Sequence, residues 1–213
     1  MSSSGGVICL SMTETERARR AQALQGRILS APPGMPILPT DLHSEISTLL
    51  ATAYEDGWLV GDSSEVWRMV KLSTSRGPSD PSQVTLVINL GDKDQKRNTK
   101  RSRDLPHFVR FDDAWFDFAL TAIADKKNPI RLDSYSFEIR FPLWLGQPPD
   151  EQRPHFLRFD LNPPEHDNTA IGDRCHMHIG SDLFSMPSPW MSPLEILEEF
   201  IYGLRPSNIP PPG

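Results

Sequence analysis

The stretch HFLRFDLNPPEHDNTAIGDRCHMHIGSDLFSMPSPWMSPLEILEEFIYGL (His155–Leu204) decides the fold. Its pattern predicts a strand, a loop, a second strand, a proline-rich turn and a helix. The strands are HFLRFDL (His155–Leu161) and RCHMHIG (Arg174–Gly180), and in both of them side chains of opposite character alternate. The helix is SPLEILEEFIYGL (Ser192–Leu204), which starts with a serine suited to capping and a proline suited to the first turn. We therefore expect an antiparallel sheet with a helix packed on one face.

Residues upstream of this stretch supply further elements. LHSEISTLLATAYEDG (Leu42–Gly57) has apolar residues at helical spacing and ends on a glycine. Strands are predicted at Glu65–Leu72, Gln83–Leu90 and Ser134–Leu145, and turn residues between the first two indicate an antiparallel hairpin. Asp113–Lys127 is predicted to be a helix, because its large apolar residues fall on one side of a helical projection.

Changes in composition along the 213 residues predict one folded unit with a tail at each end. Residues 1–40 are predicted to be a flexible N-terminal extension, with a peripheral helix over 13–30 and a proline-rich linker. Residues 41–205 are predicted to form a single α+β domain, with a mainly antiparallel sheet packed by helices. Residues 206–213 are predicted to be a disordered, proline-rich tail.

The net charge of −6 disfavours non-specific binding to duplex DNA, which depends on a basic surface. The basic segment Lys93–Arg103 is an exception, and it is either a solvated loop or a nucleic-acid contact. Two cysteines cannot build a disulfide framework, and we find no secretory signal and no apolar run of about 20 residues. We expect a cytoplasmic protein with no membrane contact. No phosphate-binding glycine loop occurs, and no cofactor is expected.

A short sequence recurs in the chain. PHFVRFD (Pro106–Asp112) returns as PHFLRFD (Pro154–Asp160), 48 positions later, and TAIAD (Thr121–Asp125) returns at the same offset as TAIGD (Thr169–Asp173). An ancient duplication explains both matches, and so does coincidence, since the intervening residues differ in kind.

The two strands of the opening stretch predict a polar face. Alternate side chains of a strand share a face, so His176 and His178 point together, as do Arg158 and Asp160. Cys175 points the other way and is expected in the core. If the strands are neighbours in one sheet, the face opposite the core collects seven polar residues, called the polar face below: Glu138, Arg140, Arg158, Asp160, Arg174, His176 and His178. Phe156 also falls on this face, which requires a pocket wall, a bulge or a different strand phase.

Three kinds of chemistry suit this face. In the first, His176 and His178 act as acid and base with Asp160 orienting them, because imidazole titrates near neutral pH. Nearby arginines would then bind a substrate phosphate during metal-independent RNA cleavage, and the candidates are Arg158, Arg174 and Arg140.

In the second, the two histidines bind a metal ion together with Asp160 or His166, because histidines two positions apart on a strand can share one ion. In the third, the histidines only make structural hydrogen bonds on a half-buried face.

The order RFDLNPP (Arg158–Pro164), HMHIG (His176–Gly180) and PSPWMSPLEILEEFI (Pro187–Ile201) resembles the TumE-like toxins of bacterial toxin–antitoxin systems. The resemblance covers residues 156–204. It implies a small toxin or defence-associated protein, and the matching positions are Arg158, Asp160, His176 and His178. The chain departs from that pattern in its N-terminal extension and in a large insert around 91–135.

We therefore expect a prokaryotic toxin-like or defence-associated protein that acts on or binds RNA, with an antitoxin or a larger assembly as its protein partner. The alternative is a non-catalytic subunit or adaptor of a multi-protein assembly, which the acidity, the proline-rich tails and the detachable N-terminal helix favour. A third possibility is a metal-dependent hydrolase.

Overall fold

A computed structural model describes residues 39–76, 83–91, 103–125, 128–142, 155–164, 166 and 174–204. The helix predicted over 13–30, the linker up to residue 38, all but Arg103 of the basic segment and the tail 206–213 lie outside the described residues.

An antiparallel sheet of eight strands dominates the described chain. The strands are β1 (Val70–Arg76), β2 (Gln83–Leu90), β3 (Phe108–Val109), β4 (Trp115–Asp125), β5 (Asn128–Arg140), β6 (Phe156–Leu161), β7 (Cys175–Ile179) and β8 (Ser185–Pro187). Their order is β1-β2-β4-β5-β6-β7-β8, and β3 pairs with β4. All of these pairings are antiparallel. The predicted hairpin of β1 and β2 and the pairing of the strands around His155–Gly180 are confirmed.

Three α-helices accompany the sheet in the described residues: α1 (Pro39–Glu55), α2 (Ser64–Met69) and α3 (Pro193–Glu198), which continues as a π-helical turn (Glu199–Gly203). The predicted N-cap of α3 is confirmed, because the side chain of Ser192 accepts a hydrogen bond from the backbone N–H of Glu195, and the Glu195 carboxylate accepts one from the N–H of Ser192. None of the helices in the described ranges has the length and apolar character needed to cross a membrane.

The core lies between one face of the sheet and the helices. Alternate residues of β4 and β5 enter it, and the rings of Phe118 and Phe137 stack there at a centroid distance of 5.2 Å. From the helical side, Phe200 contacts the ring of Phe116 at 5.9 Å and that of Phe159 at 6.2 Å. The predicted α+β class is confirmed: helices cover one face of the sheet, and the polar residues are left to the other.

The prediction of a strand over Glu65–Leu72 is wrong for its first half. Helix α2 occupies Ser64–Met69, and the strand begins only at Val70. Val66 and Met69 are buried together three positions apart, which is helical spacing. The apolar residues of this short segment fit both the helical repeat and the strand repeat, and packing against α1 selects the helix.

The prediction of a helix over Asp113–Lys127 is also wrong, because β4 spans Trp115–Asp125. Phe116, Phe118 and Leu120 alternate along this strand and are buried. β4 pairs with β2 on one side and β5 on the other, and this central position overrides the helical preference of its alanines.

The strand predicted at Ser134–Leu145 is shifted, since β5 begins at Asn128 and ends at Arg140. It starts early because β4 and β5 form a long hairpin with register shifts near its turn.

Candidate functional site

Strand register assembles most of the polar face. Glu138 lies opposite Arg158 in the β5–β6 pair, and Arg158 lies opposite His178 in the β6–β7 pair. Two residues along, Asp160 lies opposite His176. The alternation predicted for these strands therefore places the two rows of polar side chains next to each other, although Glu138, His176 and His178 are nearly inaccessible.

The centre of this face is the triad of Asp160, His176 and His178. The Nε2 atoms of His176 and His178 lie 3.8 Å and 3.7 Å from the same Oδ2 atom of Asp160. Both distances exceed hydrogen-bonding range. The two imidazole rings lie 5.0 Å apart, close to perpendicular, and one donor atom from each triad residue falls within 4.8 Å of the others. Three ligand-type atoms thus converge without hydrogen-bonding one another.

Arg158 is the cation nearest the triad. Its Nε donates to Oδ2 of Asp160 at 2.6 Å, and its Nη1 donates to Oδ1 of Asp182 at 2.6 Å. Nη1 also lies 3.5 Å from Oε2 of Glu138. Burial works to lower the pKa of Arg158, but the carboxylates of Asp160 and Asp182 outweigh it and the pKa is raised. The guanidinium therefore stays charged and fixes the orientation of Asp160.

Arg140 and Phe156 form one wall beside Glu138. Arg140 Nε donates to Oε1 of Glu138 at 2.5 Å, and its guanidinium lies over the rings of Phe156 and Trp115 at 5.4 Å and 5.6 Å. Arg158 lies over the ring of Phe156 at 5.8 Å. Phe156 thus occupies the polar face as a cation–π partner of two arginines, as a pocket wall would.

Two residues predicted for the site have other contacts. Arg174 donates from Nε to the carbonyl of Asn162 at 3.1 Å and from Nη2 to that of Asp133 at 3.4 Å, so it holds backbone at the end of the sheet. His166 is exposed and lies outside the triad, whose third member is Asp160.

Sequence reasoning missed two acidic residues of this face. Asp117 is buried on β4 directly opposite Glu138, and Asp182 follows β7 and binds Arg158. Reading residues 115–125 with the period of a strand would have placed Asp117 on the polar face. Nothing in the sequence marks Asp182, because its contact depends on the turn between β7 and β8.

On the opposite face of β7, Cys175 is buried, as expected of a core residue. Its Sγ lies 3.7 Å from the hydroxyl of Tyr135 and 3.5 Å from that of Ser188. Burial raises the pKa of the thiol, which makes it a poor nucleophile.

The environment of His178 predicts a pH-dependent stability. Burial lowers the pKa of His178, the charges of Arg158 and His176 lower it further, and Asp160 and Asp182 oppose them. An unfolded histidine has a pKa of about 6.5, so below that value the unfolded chain takes up the proton more readily. This contribution to stability is complete above about pH 6.5 and is lost as the pH falls towards the lower pKa of the folded state.

We expect the free energy of unfolding of the metal-free protein to fall more between about pH 7.5 and about pH 5.5 in the wild type than in His178→Gln. Urea denaturation in the presence of a chelator measures both. Equal losses in the two proteins would contradict a depressed pKa at His178.

No protein-family model, curated protein or solved structure matches this chain.

Proposed function

We propose that this chain is a toxin-like or defence-associated prokaryotic protein that acts on RNA through the polar face. The convergence of Asp160, His176 and His178 beside Arg158 carries this proposal. The order of an Arg–Asp strand, a His-x-His strand, a proline-rich turn and a final helix, which resembles the TumE-like toxins, also supports it.

The chemistry of phosphodiester cleavage suits these groups. One group must take a proton from the attacking oxygen and another must supply one to the leaving oxygen, and two neighbouring imidazoles can share these roles. Asp160 is anchored by Arg158 and lies within 4 Å of both rings, so its carboxylate can stabilise either imidazole when that ring is protonated.

Arg158 supplies the anion site in this proposal. One of its carboxylate partners, Asp182, has a side chain that is 72% exposed, so water screens this contact more than the contact of Arg158 with Asp160. A phosphate oxygen can therefore displace Asp182 from Nη1 while Nε continues to hold Asp160. Without substrate, the carboxylate of Asp182 occupies the place at Nη1 of Arg158 that the phosphate oxygen would take.

The deciding experiment is induced expression in a bacterial host at matched protein levels. We expect the wild type to arrest growth and His176→Ala/His178→Ala to restore it fully, because the triad loses both imidazoles. His155→Ala/His166→Ala is the matched control, since both of these histidines are exposed and lie outside the triad. It should arrest growth like the wild type.

Growth arrest by the wild type and the triad variant alike would refute the assignment to this face, and no arrest by the wild type would refute the toxin-like function. Where arrest depends on the triad, cleavage of total RNA by the purified proteins separates action on RNA from other targets.

A second candidate function is that of a non-catalytic subunit or adaptor, and exposed apolar residues favour it. Leu183, Phe184 and Met186 are 86%, 74% and 48% exposed, and Ile179 at the end of β7 is 61% exposed. They surround the turn into β8, the last strand in the sheet order. Clustered exposed apolar side chains are typical of protein-interaction sites.

The adaptor function requires a specific protein partner bound there. Purification from the native host should recover one identified protein in stoichiometric amount with the wild type and lose it with Leu183→Ser/Phe184→Ser. Recovery of the wild-type chain alone would refute the adaptor function.

A further inference from the structure

The donor atoms of the triad match a transition-metal site. Two imidazole nitrogens and one carboxylate oxygen are a ligand set that zinc and related divalent ions take in proteins. The histidines stand two positions apart on β7, and Asp160 faces His176 from β6. All three side chains thus come from adjacent strands of a rigid sheet, which suits a preformed site.

The distances leave space for an ion. The Nε2 atoms lie 3.7 Å and 3.8 Å from Asp160 Oδ2. Ligand bonds of about 2.0–2.2 Å place neighbouring donors about 3.3–3.6 Å apart in a tetrahedral site. Small side-chain rotations are enough to close this difference.

His178 is not held by structural hydrogen bonds. Its Nδ1 is buried without a hydrogen-bond partner in the described part of the chain, and its Nε2 is too far from Asp160 to form one. No hydrogen bond within the described residues therefore competes with an ion for Nε2, the nitrogen that lies beside Asp160.

The surrounding charges favour a cation. Carboxylates outnumber guanidinium groups in the described part of this face. The carboxylates are those of Asp117, Glu138, Asp160 and Asp182, and the guanidinium groups are those of Arg140, Arg158 and Arg174. Much of this cluster is buried, where unbalanced charge is expensive. The surrounding carboxylates therefore attract a cation to the triad.

We propose that Asp160, His176 and His178 bind one divalent transition-metal ion, for which Zn²⁺ is the test ion. Arg158 then serves as the outer partner that orients the ligating carboxylate. Three protein ligands leave at least one coordination position for water or a substrate oxygen. The inference deepens the proposed function and rests on the triad being the functional site. The two imidazoles then serve as metal ligands instead of as acid and base, and the action on RNA becomes metal-assisted.

The test is calorimetric titration of the untagged, chelator-treated full-length protein with ZnCl₂. We expect one ion per chain for the wild type and affinities lowered by more than about 10-fold in His176→Gln and in His178→Gln, since losing even an outer-sphere partner costs that much. His155→Gln/His166→Gln is the control and should bind like the wild type. Circular dichroism of each protein verifies the fold.

Copper(II) electron paramagnetic resonance on the wild type is the second measurement, and it does not depend on how the variants fold. Nitrogen hyperfine splitting from two imidazoles supports the site. No Zn²⁺ binding by the wild type, unchanged binding in folded triad variants, or a copper spectrum without two nitrogens would overturn the proposal.

The metal site and the toxin-like function can be refuted independently of each other. A protein that binds Zn²⁺ at the triad without arresting growth keeps the metal site and loses the toxin-like function. A protein that arrests growth through the triad but binds no metal loses the metal site and keeps acid–base chemistry by the two imidazoles.

Discussion

Replacing Arg110 by methionine should lower the free energy of unfolding by about 3–5 kcal/mol, the range for breaking a buried ion pair by removing one partner. Arg110 and Asp112 have fully buried side chains. The guanidinium donates from Nε and Nη2 to the two oxygens of Asp112 at 3.1 Å and 2.8 Å, and from Nη1 to the carbonyl of Phe200. Methionine fills much of the space but leaves the Asp112 carboxylate and the Phe200 carbonyl without this donor.

Arg103 provides the matched control for this substitution. It pairs with Asp113 at 3.0 Å, but the two side chains are 48% and 55% exposed. Arg103→Met should therefore cost no more than about 1 kcal/mol. Urea denaturation followed by far-ultraviolet circular dichroism gives both values. Equal small losses would show that Arg110 is not the buried link between the turn after β3 and the C-terminal helical segment.

Arg110→Met/Asp112→Leu distinguishes an unpaired charge from lost packing. Removing both charges together should restore part of the stability, because an apolar pair can replace a buried ion pair at little cost. A double variant as unstable as Arg110→Met would assign the loss to the Phe200 carbonyl and to packing.

Most of the polar face could be predicted from the sequence because strand alternation is a local rule. The side chains of His176 and His178 share a face whatever the partner strand is, and the same holds for Arg158 and Asp160. That β6 and β7 are neighbours was a condition of this prediction, and the structure meets it. The register that places one Asp160 oxygen near both histidines depends on the loop between them, which no local rule fixes.

The prediction failed where tertiary pairing decides. Residues 115–125 contain alanines at helical spacing as well as strand-forming Trp, Phe, Ile and Thr, so both periods fit. Their place between β2 and β5 selects the strand. This error also hid Asp117, whose position on the polar face follows only from the strand period.

The recurring PHFxRFD motif contains an ion pair in both copies, which the sequence alone did not predict. In both copies, Arg and Asp two positions apart form an ion pair: Arg110 with Asp112, and Arg158 with Asp160. The first pair is fully buried and links the turn after β3 to the helical C-terminal segment. The second is partly accessible and lies beside two histidines. The two copies thus place the same pair of residues in different surroundings: the first pair is shut off from solvent, and the second lies on the polar face beside the histidines.

The substitution Asp160→Asn tests the role of the second copy of the motif. Asparagine preserves the shape of the side chain but removes the charge that Arg158, His176 and His178 surround. We expect growth arrest and Zn²⁺ binding to be abolished, since a neutral amide is a poor metal ligand and orients the imidazoles weakly. The cost in stability should not exceed about 3 kcal/mol, the upper end for a hydrogen bond to a charged group.

Asp112→Asn is the matched control because it makes the same change in the first copy of the motif. It should lower the free energy of unfolding at least as much as Asp160→Asn, because Arg110 then remains charged at a fully buried position. The molecules that remain folded should still bind Zn²⁺ with the stoichiometry of the wild type. If Asp160→Asn retained both growth arrest and metal binding, the second copy would be structural as well. The functional residues would then lie away from the triad.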